Sequence, residues 1–385
     1  MTPTEPGDVL LAFWTEKREG RGEDAQPVAA AGPNGGVIAV CDGMGGAGSA
    51  RVQVGDGEVS QARLAARLAA QIIAARSWGP IEDGTPEGLG DQLRSGFQQR
   101  AAELDLGSGR LRSRMLRTLP TTLALGHYEH DEDRVRLQAL WAGDSRVYVL
   151  APATGLQQVT EDDLRSRGDA MANLSEDSPL SNMVSASAAF TVNSRWVEVP
   201  AGPCVLLAAT DGCFGYVRTP LHFESLLLRA MAEAKSYEEW CEAVKSAVLD
   251  ITGDDASMAI AVPGSPPWEE FRAAFGTRAR EVAERVGLYD REYEELLAAR
   301  AHLSAQEGRV GQIRMDLWDE YKETYEFWIR ETEAGSPPAP VKPAAAVEST
   351  EIPVDESPTR MLPVSPAAAG MCEHCGRPVA KAVEA

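Results

Sequence analysis

Val37-Ile38-Ala39-Val40-Cys41-Asp42-Gly43-Met44-Gly45-Gly46 is a short apolar run that stops on a carboxylate and then on a glycine-rich turn. An apolar run of this length, bounded by glycine and aspartate, reads as a strand buried in a core. A carboxylate at the mouth of such a strand points its oxygens into a cleft rather than into bulk water. The pattern returns where Val205-Leu206-Leu207-Ala208-Ala209-Thr210 runs into Asp211-Gly212. Glu23-Asp24, Gly143-Asp144-Ser145-Arg146 and Asp254-Asp255 complete a set of five acidic motifs along the first two thirds of the chain. Together they suggest a site for two or three hard cations, because carboxylate, carbonyl and water ligands suit Mg2+ or Mn2+ better than zinc or copper. A single Asp-Gly would be an ordinary turn signal. The ordered set is what carries weight.

Around this set the chain is large and acidic. Its 385 residues allow a sizeable core and appendages. A formal net charge of -21 argues against nucleic acid or anionic membrane as a partner, since the field repels phosphates over most of the surface. No apolar run reaches the roughly 18 residues of a membrane span, and the acidic, proline-containing stretch from Met1 to Asp8 does not read as a signal peptide. Six cysteines are scattered, and Cys41, Cys204, Cys213 and Cys241 lie in apolar segments, which predicts reduced core thiols in a cytoplasmic protein. Cys213 lacks a Cys-x5-Arg phosphate loop and has aromatic neighbours, Phe214 and Tyr216, so it reads as structural.

Residues 36–41, 121–128, 135–142, 146–150, 195–199, 204–209 and 257–262 read as strands. Leu64, Leu68 and Ile72 recur at helical spacing, as do Leu89, Leu93 and Phe97, and two further helices are predicted at about 219–233 and 236–250. Strands interrupted by helix pairs predict an α+β fold with helices packed outside two antiparallel sheets, spanning 7–263. After Pro263-Gly264-Ser265-Pro266-Pro267, residues 268–333 are charged, proline-free and carry Leu296, Leu297, Leu303, Ile313, Leu317, Tyr321, Tyr325 and Trp328 at helical intervals. This predicts a helical extension of two or three helices in a hairpin, either packed on the preceding domain or docking a protein partner. Residues 334–370 are rich in Pro, Ala, Ser, Val and Glu and predict a disordered linker. The tail, 371–385, holds Cys372 and Cys375 in a Cys-x-x-Cys-Gly knuckle, which leaves open zinc shared between chains, a redox pair or an inert remnant.

In their order these motifs resemble the metal-dependent protein phosphatases of the PPM family (type 2C), in a bacterial form. Asp42-Gly43-Met44-Gly45-Gly46 is similar to the family's Asp-Gly-x-Gly-Gly element, and Thr121-Thr122 to the paired threonines that open a core strand. Gly143-Asp144-Ser145-Arg146-Val147-Tyr148 resembles its Gly-Asp-Ser-Arg-x-Tyr turn, and Asp254-Asp255-Ala256-Ser257 its Asp-Asn-x-Thr/Ser ending. The resemblance implies a four-layer α/β/β/α sandwich with metals at one end of the β core. It implies a serine/threonine phosphatase in which Asp42 bridges two Mn2+ or Mg2+ ions, helped by the Gly43 carbonyl. Asp211 and Asp254 would complete the first metal, Asp24 with Glu23 the second, and Asp144 with Asp211 a looser third. Two ions roughly 3.5 to 4 Å apart share a water and present hydroxide at neutral pH. Glycines 43, 45 and 46 are expected to approach the ions closely and to adopt positive φ.

What the resemblance implies for partners is a phosphoprotein substrate and a bacterial kinase to oppose. The chain departs from the family in two places. Glu19 stands where the family has a phosphate-binding arginine, leaving Arg21 or Arg18 as substitutes, with Arg21 taken as the candidate. The glycine-rich element continues as Ala47-Gly48-Ser49 without the common histidine. Asp255 replaces the family's asparagine and is expected to support the site rather than ligate. Arg146 is expected to pair with carboxylates. The alternative reading is a pseudophosphatase or adaptor that binds partners through its extension and tail.

Overall fold

In the computed structural model, residues 7–32, 34–55, 57–79, 87–106, 117–166, 168–174, 178–200 and 202–329 are described. Two compact units divide the chain, Met1–Leu303 and Ser304–Ala385. The predicted linker at 334–370 and the tail with Cys372 and Cys375 lie outside the described residues.

The first unit holds two five-stranded antiparallel sheets. One orders β1 (Val9–Thr15), β12 (Ala256–Val262), β11 (Val205–Ala209), β8 (Arg146–Ala151) and β9 (Gly155–Gln158). The other orders β10 (Asn193–Pro200), β7 (Arg134–Ala142), β6 (Leu123–His130), β3 (Gly35–Val40) and β2 (Val28–Gly32). A separate hairpin joins β4 (Arg51–Val54) to β5 (Gly57–Ser60). Side chains alternate across each strand, and the alternation explains the layers. From β3, Ile38 and Val40 face the other sheet, meeting Leu206 and Ala208 of β11 and Ala259 and Ala261 of β12. Val37 and Ala39 face outward against helices α1 (Gln61–Ala75) and α2 (Glu87–Glu103), where Leu89, Leu93 and Phe97 are buried. On the opposite side, Leu207 and Ile260 face α4 (Pro220–Glu233) and α5 (Tyr237–Leu249). The four-layer α/β/β/α arrangement follows. Helix on both outer faces is why these central strands read as continuous apolar runs.

Local chemistry sets the helix ends. Ser60 caps α1 by accepting from the Arg63 N–H, and Ser236 caps α5 by accepting from that of Glu239, so orphan amides of each first turn are satisfied. Thr219 and Pro220 open α4, the proline fitting a position whose N–H has no helical partner.

All seven predicted strands are present, whereas β1, β2, β9 and the β4–β5 hairpin escaped the sequence reading. β1 is Val9-Leu10-Leu11-Ala12-Phe13-Trp14-Thr15, and periodicity cannot tell so short an apolar run from a buried helix. The predicted helix hairpin is corrected. A single helix, α6 (Trp268–Tyr325), runs through the segment, because three glycines after Val286 without any proline do not break a chain of good helix formers. Within the first unit α6 buries Phe271, Phe275, Val282 and Val286 in the α4/α5 core. Within the second, its residues are exposed, among them Val310 at 65% and Leu317 at 62%.

Candidate metal centre

Antiparallel pairing gathers the acidic motifs. β11 runs out to Asp211 while its neighbour β12 starts just after Asp254-Asp255, with Ala209 paired to Met258. β1 ends opposite the same start, Thr15 paired to Ala256, and feeds the segment that carries Glu23 and Asp24. Asp42 follows β3, and Asp144 lies in the turn between β7 and β8. Glu23, Asp42, Asp144, Asp211, Asp254 and Asp255 line one cleft of about 330 Å³. Gly43 to Gly46 and Thr122 also line it, as do Ser178-Pro179-Leu180 from the segment between β9 and β10, roughly 160–193, called the flap below. No Lys, Arg or His is among the described lining residues.

Each carboxylate has a main-chain reason to be where it is. Thr121 Oγ1 donates to the Asp42 carbonyl (2.7 Å), the Thr122 N–H donates to the same oxygen (2.8 Å), and Thr122 Oγ1 accepts from the Asp42 N–H (3.2 Å). The paired threonines therefore fix the Asp42 backbone. Gly43 is required by crowding, since a Cβ there would lie 2.5 Å from the Ala62 carbonyl oxygen and 2.6 Å from that of Glu23. The expected positive φ at Gly43, Gly45 and Gly46 is not found; the site's left-handed glycine is Gly143, at φ 111°, ahead of Asp144. Asp24 sits behind the cleft, 4% exposed, and accepts from Thr210 Oγ1 at 3.0 Å. Its other oxygen, Oδ1, is buried with no hydrogen-bond partner.

Negative charge is concentrated here, offset in part by Arg146, which is itself paired with Asp162. Burial, with Asp211 adding repulsion, pushes Asp24 up to about 7 even though the hydrogen bond from Thr210 favours its charged form. Burial, then the charges of Asp211 and Asp162, does the same to Asp144, also to about 7. Asp42 is raised well above the carboxylate range by burial, then by Asp24 and Asp211. Asp211 is raised by burial, then by Asp254, and Glu23 by burial against an opposing bond from Ser60. Desolvated carboxylates facing one another demand protons or cations. Among the described residues, no three His, Cys, Asp or Glu are drawn together tightly enough to enclose an ion as they stand. The fit to hard cations rests on the chemistry of the donors and on the orphaned oxygen of Asp24, and the carboxylates stand apart round a wide cleft. Mg2+-type sites use this arrangement, keeping several waters.

The remaining candidates fall elsewhere. Arg18 and Arg21 are exposed and do not line the cleft, and Glu19 is exposed beside them. Arg146 pairs with Asp162 through Nε at 2.8 Å and Nη2 at 2.6 Å and lies over the Phe214 ring, as a structural partner. Cys213 is buried, its thiol pushed well up by burial and then by Asp24 and Asp211, so it is no nucleophile. His127 packs against Trp78, His130 pairs with Asp8, and His222 bonds Thr219 and Asp290. Sequence reasoning singled out neither Asp162 nor Asp163, whose hydrogen bonds tie the flap down; the signal was an Asp-Asp pair just past β9.

The family Protein phosphatase 2C matches residues 17–248, well over half of the chain. No curated protein matches the chain. Among solved structures, the serine/threonine phosphatase PstP/Ppp of Mycobacterium tuberculosis is similar at 19% identity, covering 67% of this chain and 99% of that one, with a TM-score of 0.47. Stp1 of Staphylococcus aureus is similar at 16% identity over 67% and 97%, with a TM-score of 0.48. A structure of the PstP catalytic domain, at 19% identity over 66% and 98% with a TM-score of 0.46, is in complex with 2 manganese ions. The chain belongs to the protein phosphatase 2C family and is a phosphoprotein phosphatase of the serine/threonine type.

Proposed function

We propose that the protein is a metal-dependent phosphatase that hydrolyses phosphoserine and phosphothreonine esters and opposes a bacterial protein kinase. The observation that carries this reading is the set of desolvated, mutually repelling carboxylates with one oxygen of Asp24 unpartnered. Asp42 with the Gly43 carbonyl, Asp211 and Asp254 would hold one Mn2+ or Mg2+. Glu23 and Asp24 would serve a second, and Asp144 with Asp211 a looser third. Bound divalent ions supply positive charge to phosphoryl oxygens and lower the pKa of water. The protein's own part is to hold Asp42 rigidly through Thr121 and Thr122, to keep Asp24 out of water, and to wall the cleft with the flap. Since no cationic side chain among the described residues lines the cleft, bound ions would have to overcome its repulsion of phosphate.

Arg21 is the residue we assign to meet the phosphate from outside, its guanidinium having no hydrogen bond or ion pair among the described residues. The catalytic domain is 7–263, the extension 268–333, and the remainder a separable linker and tail. No helix among the described residues is long and apolar enough to cross a membrane; our assignment to the cytoplasm rests instead on the free, buried thiols Cys41, Cys204, Cys213 and Cys241. An adaptor role for the extension is favoured by one observation, the exposure of Val310, Leu317, Tyr321 and Trp328. Phosphate release from a phosphothreonine peptide should require added Mn2+ or Mg2+ and vanish in EDTA. Turnover in metal-free buffer would overturn the reading.

A further inference from the structure

Asp255 lines the cleft beside Asp254, yet its carboxylate is already engaged. Oδ1 accepts the backbone N–H of Lys17 at 2.7 Å, and Oδ2 accepts that of Glu23 at 2.6 Å. Two acceptor oxygens thus meet two donors at opposite ends of the loop that leads from β1 to the site. The loop between them is also organised. The Gly20 N–H donates to Glu16 Oε2 (2.5 Å) at a φ of 72°, the Arg21 N–H donates to the Arg18 carbonyl (2.9 Å), and Arg63 Nη1 donates to the Gly20 carbonyl (2.5 Å). Glu23, where the loop ends, lines the cleft and accepts from Ser60 Oγ through Oε1 at 2.5 Å.

We propose that Asp255 is a positioning residue: its carboxylate pins the main chain at Lys17 and Glu23 and so holds the Glu23 side chain at the cleft wall for cation binding. This rests on the metal-dependent reading above. An ionised carboxylate is acceptor-only, whereas an asparagine has one acceptor oxygen and an NH2 donor, so an amide here satisfies one of the two N–H groups and opposes the other. The sequence has a carboxylate where the resemblance leads one to expect an amide, and the two-donor geometry gives that difference a reason. Charge-assisted bonds of this kind are short and strong, and outer partners of metal ligands set ligand orientation.

Wild type, Asp255→Asn and Asp255→Ala are to be compared, with circular dichroism confirming the fold. Backbone hydrogen exchange is measured without metal, Mn2+ binding by calorimetry, and phosphate release against Mn2+ concentration. Exchange should quicken at the Lys17 and Glu23 amides in both variants, and Mn2+ affinity should fall about 10-fold or more. Saturating Mn2+ should restore kcat towards wild type, and Asn should lie between wild type and Ala. Unchanged exchange at those amides, unchanged Mn2+ affinity, or a kcat lost at every Mn2+ concentration would each overturn the assignment. If wild type binds no Mn2+, the metal-dependent reading falls with it; if wild type binds and the variants match it, only the role of Asp255 falls.

Discussion

Asp162 and Asp163 at the base of the flap are surrounded by donors, while Asp24, Asp42, Asp144 and Asp211 a short way off face chiefly one another. Asp162 takes both prongs of Arg146 together with Asn173 Nδ2 at 3.0 Å and Gln158 Nε2 at 3.2 Å. Asp163 accepts from the Gly143 N–H (3.0 Å), Asn182 Nδ2 (2.7 Å) and Asn193 Nδ2 (3.0 Å). The cleft carboxylates have fewer donors than oxygens to fill, and burial raises them together. The same residue type thus serves two ends. Where donors match oxygens, the carboxylate builds the fold; where they do not, it is held ready for a cation, at a cost to the metal-free protein.

Breaking the satisfied cluster should cost the most stability. Asp162→Ala strands the Arg146 guanidinium, whose side chain is 4% exposed. An unpaired buried charge typically costs about 3–5 kcal/mol, to be read from urea denaturation of the metal-free protein. A loss below about 1 kcal/mol, the scale of a surface pair, would erase the distinction between the clusters.

The cleft should respond in the opposite sense. Asp42→Ala should lower kcat/KM for a phosphopeptide by about 10²–10³-fold or more, the scale of losing one electrostatic stabiliser of a transition state. The metal-free fold should not weaken, because one of several repelling charges is gone. An active Asp42→Ala protein, or one that unfolds like Asp162→Ala, would break the comparison.

Much of this division was legible in the sequence. Asp42 and Asp211 announce themselves because strands covered on both faces must be apolar throughout, so the residue that ends the run is conspicuous. Arg146 could be read as a carboxylate partner, but not which one, since Asp162 lies beyond β9 and only the fold brings it back. The flap gave no signal for a related reason: Asp163 reaches Asn182 and Asn193 across 19 and 30 residues, a separation at which no periodicity survives. The helix hairpin was misread because amphipathic spacing marks where a helix lies and not where it turns. The phosphate-binding arginine stayed undecided because Arg18 and Arg21 differ in placement and not in type.

The cleft's repulsion should also show as pH dependence in metal-free protein. Burial pushes the Asp24 carboxyl up to about 7 in the fold, from an ordinary value of 3.8. Below about pH 4 both states hold the proton and the raised carboxyl costs nothing. As pH rises from about 4 to about 7 the unfolded chain releases its proton first, so stability falls. Relative to Asp24→Asn, wild type should lose on the order of 2–4 kcal/mol across that window, with saturating Mn2+ reversing the loss. A parallel pair of stability curves would place Asp24 among the satisfied carboxylates instead.

The smallest effect concerns the cations outside both clusters. Arg21 is exposed, as is Arg18, and a solvated guanidinium contributes little until a phosphate lets its fork bind two oxygens at once. Because Arg21 is exposed, the proposed contact would form in water, and its worth should stay near the roughly 1 kcal/mol of a surface ion pair, or about a fivefold rise in KM. Arg21→Ala should therefore raise KM for a phosphopeptide by about that factor and leave kcat at saturating substrate nearly unchanged. Arg18→Ala, at the position next to the Glu19 that replaces the expected arginine, should change neither. Steady-state kinetics on the two variants and wild type decide the matter. Equal constants in all three would mean that the cations of the cleft position the phosphate alone, and a larger effect from Arg18→Ala would transfer the role to that residue.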